Sequence, residues 1–307
     1  MTIERETLYL PPTYSLGRIT VYLPNERDPC ELLEAIGPVQ VPKSAKLFLD
    51  VSQEVCDDLR GLRTAPRRLL ENGVSFIQKN LQKTDLREVI VFEPRHLVIT
   101  YCSGLTVDQL QQLGELRSLK HLSLSHTLLN VPDFSWIPQF PSLNTLFLLG
   151  TDADDACVPF VVSIAGLEEL DLAECKLTDR GVQAIWRSVN IKRVNLRGCQ
   201  IGDKALKGIG YCALLESLNI SGTRISDSGV EVIVAEALQN NRQLSALNLR
   251  SCHITDGALV RLSSLKSLSM IDLTDTEVTP QGAAFLKRSL PGCNVRVGRE
   301  KAGRSKL

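Results

Sequence analysis

Histidines are the first candidates for chemistry in this chain, because three of the four fall close together in the sequence, at His96, His121 and His126. Imidazole nitrogens are common zinc ligands. His121 and His126 are separated by about 16 Å along one predicted strand, which is too far to share an ion. His96 and His121 occupy the same place on neighbouring strands but have no evident third ligand. We therefore predict no metal site and no cofactor.

Acid and base groups also occur together, since Glu169 and Asp171 stand one repeat before Arg193. Such groups could exchange protons, but an open sheet surface excludes too little water for acid/base catalysis. The sequence has no Walker loop, Rossmann fingerprint, H-E-x-x-H or nucleophile elbow. We expect no catalytic residue and a protein that is not an enzyme.

The elements that position these residues follow from a repeated pattern, L-x-x-L-x-L-x-x-[C/T]. Its first position is held by Leu119, Leu143, Leu167, Ile191, Leu215, Leu244 and Leu268. All intervals are 24 residues except one of 29. An earlier copy starts at Pro94, so about eight repeats extend from 94 to 298. A period of this length predicts a solenoid, in which each repeat adds one short parallel strand.

Small side chains occupy the ninth position of every repeat, and they account for four of the nine cysteines. The residues are Cys102, Thr127, Thr151, Cys175, Cys199, Thr223, Cys252 and Thr276. Because each is one repeat from the next on a buried turn, we interpret this column as structural and expect reduced thiols.

Aspartates follow the strands at Asp179, Asp203, Asp227 and Asp256. A carboxylate at this place can accept the free amides of a first helical turn, so the pattern predicts caps for the convex helices.

The repeats carry a resemblance to known families. The segment 218–244, with Ile225, Ser226 and Asp227 before a long helix, resembles the repeats of ribonuclease-inhibitor-like proteins. The 24-residue units ending in cysteine resemble the cysteine-containing leucine-rich repeats of F-box ubiquitin-ligase receptors. The fold class implied is α/β: a leucine-rich repeat solenoid with a curved parallel sheet, convex helices and an α/β N-terminal cap.

Residues 1–93 do not obey the period and are predicted to form that cap. Alternation predicts strands at 18–23, 46–51 and 88–92, and helices at 31–36 and at 53–83 with an interruption near Pro66. The residues from Leu23 to Leu33 are similar to the opening of an F-box, but its later Val-Cys-x-x-Trp element is missing.

Alternation within each repeat strand indicates which side chains lie on the concave face. The candidate partner-binding residues are His96, Tyr101, His121, His126, Phe147, Glu169, Asp171, Arg193, Arg197 and Arg250. Rings at one end followed by bands of alternating charge are typical of a protein-binding surface. The alternative is that the charged bands pair with each other across neighbouring strands and contribute little.

The charge balance excludes several classes of function. Lys plus Arg number 35, as do Asp plus Glu, so the formal net charge is zero and bulk binding to nucleic acid is not expected. The longest apolar run, near 157–167, is too short for a membrane span.

The last three residues, Ser305, Lys306 and Leu307, match the peroxisomal targeting signal, in a tail (299–307) expected to be flexible and basic. The resemblance implies recognition by the tetratricopeptide import receptor of peroxisomes or of the related glycosomes.

These observations together predict a protein-protein interaction module or scaffold of the peroxisomal or glycosomal matrix, with an unidentified protein partner; without the signal the protein would be cytoplasmic. Two alternatives remain open: an F-box-like substrate receptor of a ubiquitin ligase, and a regulator of an enzyme or GTPase.

Overall fold

Short strands alternate with helical segments along much of the chain. The computed structural model describes residues 4–24, 26, 28–129, 134–137, 140–188, 190–240 and 243–298. The chain divides into two units, Met1–Phe147 and Leu148–Leu307. The candidate targeting residues Ser305, Lys306 and Leu307 lie outside the described residues.

The first unit contains a small antiparallel pair, β1 with β4, and a larger sheet with the strand order β3-β2-β5-β6-β7-β8-β9. Its strands are β1 (Arg5–Tyr9), β2 (Gly17–Tyr22), β3 (Glu31–Glu34), β4 (Pro38–Pro42), β5 (Lys46–Val51), β6 (Gly73–Ile77), β7 (His96–Thr100), β8 (His121–Ser123) and β9 (Thr145–Phe147). Its helices are α1 (Gln53–Cys56), α2 (Arg67–Asn72), α3 (Arg87–Ile90) and α4 (Val107–Leu113), with a 3-10 turn at Leu59–Thr64. Strands β3, β2 and β5 pair antiparallel, and from β5 to β9 the pairing is parallel.

The second unit contains a sheet of parallel strands with outer helical segments. Its strands are β10 (Glu169–Asp171), β11 (Arg193–Asn195), β12 (Ser217–Asn219), β13 (Ala246–Asn248), β14 (Met270–Thr274) and β15 (Asn294–Gly298). Its helices are α5 (Val158–Val162), α6 (Asp179–Ile185), α7 (Asp227–Asn240), α8 (Leu259–Leu262) and α9 (Pro280–Ser289), with 3-10 turns at Asp155–Cys157, Asp203–Leu206, Ile209–Tyr211 and Asp256–Ala258. The strands pair in sequence order.

The spacing of the leucine pattern sets the strand register. Leu170 lies opposite Val194, one 24-residue interval away, and Leu218 lies opposite Leu247 across the 29-residue interval. The pattern positions point into the core, where Leu167, Leu170 and Leu172 are at most 1% exposed. Apolar burial of this kind stabilises a fold by about 25 cal/mol per Å². The structure therefore confirms the predicted α/β repeat solenoid.

Three element predictions for the first 93 residues are wrong. Residues 31–36 were expected to be helical, but β3 pairs antiparallel with β2. Residues 88–92 were expected to form a strand, but residues 88–90 belong to the helical turn α3, and the side chains of Val89 and Phe92 are buried. The predicted helical segment 53–83 ends early, because β6 occupies Gly73–Ile77. This strand pairs in parallel with β7, as the repeat strands do, so the cap boundary at residue 93 stays a prediction.

The aspartates after the strands bind differently from the prediction. The Asp203 carboxylate accepts hydrogen bonds from the Ser226 backbone N–H at 2.8 Å and from its hydroxyl at 2.6 Å. Asp227 accepts the same two bonds from Thr255, one repeat further on. The predicted capping of each aspartate's own helix is therefore wrong. Before Asp227 and Asp256 that role belongs to the preceding hydroxyl: Ser226 Oγ accepts the Ser228 N–H at 3.2 Å, and Thr255 Oγ1 accepts the Gly257 N–H at 3.1 Å.

This aspartate ladder requires space, which glycines provide. A Cβ placed on Gly229 would lie 2.4 Å from the Asp203 carboxylate oxygen, and one on Gly181 would lie 2.1 Å from that of Asp155. No side chain fits at these distances without a shift. Gly181 and Gly229, each two residues after a helix start, and the aspartates of the preceding repeats therefore depend on each other.

The cysteine column is buried and hydrogen-bonded to the neighbouring repeat. Cys175 Sγ donates to the Leu148 carbonyl and Cys199 Sγ to the Leu172 carbonyl, each at 3.1 Å. Burial raises the pKa of the Cys175 thiol to about 11 and that of Cys199 to about 12. These properties support the structural interpretation of the column.

We expect the native protein to expose few reactive thiols. Seven of the nine cysteines are buried, whereas Cys30 is exposed. Thiolates are the reactive species, so a raised thiol pKa and burial both slow modification. Titration with a disulfide reagent at neutral pH should label Cys30 rapidly and the buried seven only after denaturant is added. Rapid labelling of the buried cysteines in the folded protein would contradict this arrangement.

Candidate functional site

A row of aromatic rings, each half-buried, lies on one face of the larger sheet in the first unit. It consists of Tyr22, Phe48, His96, His121 and Phe147. Successive ring centroids are 5.4, 5.4, 5.7 and 4.9 Å apart. Three of the contacts are edge-to-face, and the rings of His96 and His121 are tilted by 37°. Both the distances and the edge-to-face geometry are those that aromatic side chains prefer when they pack together. We call these five residues the aromatic row.

Strand register and one glycine make the row continuous. Gly73 lies opposite both Phe48 of β5 and His96 of β7, so it separates these two rings in the sheet. A Cβ on Gly73 would lie 2.4 Å from the Phe48 ring and 3.1 Å from His96 Cβ. Because glycine leaves this space empty, the Phe48 and His96 rings meet across β6.

His96 is held in one tautomer by the backbone. Its Nδ1 lies 2.8 Å from the Asn72 carbonyl oxygen, which can only accept, so Nδ1 carries the proton. Burial lowers the pKa of the His96 imidazole, and the positive charges of Lys46, Arg95 and Lys120 lower it further. The ring is therefore neutral at pH 7, and its Nε2 atom can accept a hydrogen bond.

The lowered pKa of His96 gives a pH dependence of known sign. The unfolded imidazole has a pKa of about 6.5, so below that value the unfolded state binds the proton more readily than the folded state. The free energy of unfolding should fall as the pH drops from 6.5 towards the folded pKa, by at most about 1.4 kcal/mol per pH unit. An NMR titration should place the His96 midpoint below 6.5, with His96→Gln identifying the resonance. A midpoint at or above 6.5 would contradict the assigned environment.

Tyr101 and His126 form a separate stack in the same unit. Their ring centroids are 4.6 Å apart and their planes differ by 10°. Both residues have left-handed backbone, with φ of 55°, at the eighth position of successive repeats. Tyr101 is 57% exposed, so the stack presents aromatic surface to solvent beyond the carboxyl ends of the strands.

The charged candidates of the second unit are engaged with neighbouring repeats. Arg193 lies 3.0 Å from Glu169, and Arg197 lies 2.5 Å from Glu174. Asp171 accepts a hydrogen bond from Asn195 at 2.9 Å, and burial raises the pKa of its carboxyl.

Arg250 lies 3.2 Å from Asp275. Half-exposed pairs such as these contribute at most about 1 kcal/mol each. These ion pairs support the alternative interpretation of the sequence, in which the charged bands pair with each other across neighbouring strands.

The structure thus groups the candidates. His96, His121 and Phe147 lie in one row, and Tyr101 stacks on His126. The charged residues form pairs within the second unit. Sequence reasoning missed Tyr22 and Phe48, although both belong to segments that it predicted to be strands. The same alternation rule applied to these two strands would have placed both rings on this face.

No cluster of three or more His, Cys, Asp or Glu side chains suited to hold a metal ion occurs among the residues described. Within the same part of the chain, no helix has the length and apolar character needed to cross a bilayer.

Comparison with known proteins identifies the repeats. The leucine-rich repeat family matches residues 167–185, 187–210, 211–234 and 240–263. No curated protein matches the sequence.

Two solved structures are similar to the chain. One is an internalin (inlF) of Listeria monocytogenes str. 4b F2365, at 14% identity, with a TM-score of 0.51 over 84% of this chain and 87% of that one. The other is internalin C2 (inlC2) of the same strain, at 16% identity, with a TM-score of 0.46 over 76% and 85%. The matched repeats, the parallel sheets and the likeness to inlF establish that this chain has the leucine-rich repeat fold.

Proposed function

We propose that the chain is a non-enzymatic protein-protein interaction module or scaffold that binds a partner through the solvent-facing side of its repeat strands. The observation that carries the proposal is the aromatic row. Aromatic side chains are enriched in protein interfaces because they bury a large area for little loss of conformational entropy. Proteins of this fold commonly act by binding other proteins, and the internalin likeness supports the fold on which the proposal depends.

We propose that the paired charges of the second unit are partner contacts of lesser energy. A partner can contact Glu169, Arg193, Arg197 or Arg250 without breaking their ion pairs. Solvent-exposed charges of this kind affect the rate of association more than the affinity. We therefore assign most of the binding energy to the aromatic row and to the stack of Tyr101 on His126.

Photo-crosslinking tests the proposed surface. A benzoylphenylalanine placed at Tyr101, which is 57% exposed, should give adducts with a partner protein in cells that express the chain. The matched position is Val260 on α8, which is 66% exposed and lies on an outer helix. Adducts at Val260 and none at Tyr101 would contradict the proposal.

We further propose delivery to the matrix of peroxisomes or glycosomes by the tetratricopeptide import receptor. The support is the tripeptide Ser305-Lys306-Leu307, in which the small residue, the base and the leucine match the targeting signal. The receptor reads this signal only with a free terminal carboxylate.

Localisation of two reporter fusions tests the delivery. A fusion that ends at Leu307 should accumulate in the organelle, whereas one that lacks Leu307 should stay in the cytosol. Equal localisation of the two fusions would contradict the targeting role and leave the binding proposal unaffected.

A further inference from the structure

We propose that the groove beside the aromatic row binds an acidic peptide segment of the partner, anchored by one apolar or aromatic side chain. This inference rests on the proposed function, since it names the chemistry of the partner that the row would bind.

The groove supplies a place for the anchor. It has a volume of about 620 Å³ and lies entirely within the first unit. Ring surface of Tyr22, Phe48 and His96 lines it, together with the aliphatic side chains of Ile77 and Val98. A volume of several hundred Å³ with predominantly apolar walls is typical of sites that bury one or a few side chains of a ligand.

Exposed apolar surface continues past the groove. Leu32 of β3 lies opposite Thr20 of β2 and is 68% exposed. Thr20 itself lies opposite Phe48, so Leu32 extends the face on which the groove opens. Contiguous apolar area at a sheet surface marks a contact site for another molecule.

Positive charge borders the amino ends of these strands. Lys46 begins β5 and lines the groove. Arg95 and Lys120 immediately precede β7 and β8, and the Lys120 and His121 N–H groups both donate to the Arg95 carbonyl, at 2.8 and 3.0 Å. All three cations act on His96 electrostatically, which places their charges beside the row.

Within the described part of the chain, these cations have no carboxylate partner of their own. In the residues that the structure covers, none of Lys46, Arg95 and Lys120 forms a salt bridge, unlike Arg193 and Arg197 of the second unit. The described lining of the groove holds one acidic side chain, Glu26.

The charge pattern selects the kind of ligand. Unpaired cations beside an apolar groove complement carboxylates flanking an apolar anchor, and they repel basic segments. The neutral His96 ring fits this arrangement because it adds no further charge, and its Nε2 atom can accept a backbone N–H from an extended ligand.

Selection from a random phage-displayed peptide library on the purified full chain tests the inference. The selected peptides should be enriched in Asp and Glu around a Phe, Leu or Trp. Their affinity should fall about tenfold in the double variant Lys46→Glu/Lys120→Glu, and it should fall on raising the ionic strength. The matched control, Lys287→Glu/Arg288→Glu on α9, changes the charge equally at exposed positions and should leave the affinity unchanged.

The outcomes separate this inference from the proposed function. The selected peptides could bind the native chain but not Phe48→Ala or His121→Ala, and carry no excess of acidic residues. That result would overturn the inference and support the aromatic row as a binding surface. Peptides that bind equally to all of these variants would overturn the inference and count against the row as well. Selection of no peptide would overturn the inference. The two row variants are used only after their thermal unfolding shows that they are folded.

Discussion

Gly229→Ala should lower the free energy of unfolding by about 2 kcal/mol, although helix propensity alone predicts a gain of about 1 kcal/mol at this site within α7. The reason is that a Cβ at Gly229 would lie 2.4 Å from the Asp203 carboxylate oxygen and 2.9 Å from Ile225 Cγ2. Relief of that overlap requires Asp203 to give up its bonds to Ser226. Urea denaturation monitored by circular dichroism measures the change.

Two further variants make the explanation specific. Gly292→Ala adds a Cβ where no atom lies within 4 Å and should change the stability by less than about 0.5 kcal/mol. In the background Asp203→Ala the conflict with the carboxylate is gone and the contact with Ile225 Cγ2 remains, so Gly229→Ala should cost clearly less stability than in the native background. A stabilising effect of Gly229→Ala in the native background would show that the ladder does not constrain this position.

Trp186→Ala should have the largest effect on stability, a loss of about 3–5 kcal/mol. Trp186 is fully buried at the end of α6, and its Nε1–H donates to the Ala205 carbonyl of the next repeat at 2.7 Å. The substitution removes both the apolar contacts and this bond. Chemical denaturation of the native protein and the variant, fitted with one common dependence of the free energy of unfolding on denaturant concentration, gives the difference in stability.

Trp186→Phe separates the two contributions. It keeps most of the apolar volume but leaves the buried Ala205 carbonyl without its donor, so a smaller loss of about 1–3 kcal/mol is expected. Val260→Ala, at an exposed position of α8, should change the stability by less than about 0.5 kcal/mol. A loss below 1 kcal/mol for Trp186→Ala would contradict the packing described for this repeat.

The repeat strands could be predicted because a solenoid translates sequence spacing into register. Each leucine triplet defines one buried strand, and the interval of 24 or 29 residues brings the next strand beside it. The aspartates were recognised by type, but their partners were not. In an isolated helix, a first-turn carboxylate accepts hydrogen bonds from the helix amides. Here the next repeat supplies a hydroxyl donor in their place: Ser226 donates to Asp203 at 2.6 Å and Thr255 to Asp227 at 2.5 Å.

The first 93 residues were harder to predict because their contacts are not periodic. The segment at Glu31–Glu34 has a composition that suits a helix, yet its pairing with β2 decides the outcome. The apolar run before Phe92 satisfies the strand pattern as well as the helical one, because short runs do not distinguish strand from helix. Residues 89 and 92 are buried at helical spacing. The pairing of β3 with β2, by contrast, is a tertiary contact that residues 31–34 alone do not specify.

The sequence predicts only the part of the candidate face that lies on the repeat strands. Alternation within the repeats identified His96, His121 and Phe147, whose contact the structure shows. The extension of the row to Phe48 and Tyr22 depends on the antiparallel pairing of β2 with β5 and on the missing side chain at Gly73. These are tertiary features, and the repeat period contains no information about them.

We propose that the aromatic row is the main contact surface for a protein partner. Proximity labelling in cells should compare the native chain with a row variant, His121→Ala/Phe147→Ala, and with an ion-pair variant, Glu169→Ala/Arg193→Ala. Thermal unfolding first establishes that all three proteins are folded. We expect the row variant to lose the proteins that the native chain labels and the ion-pair variant to retain most of them. A labelled set unchanged by the row variant, or lost only with the ion pair, would contradict the proposal.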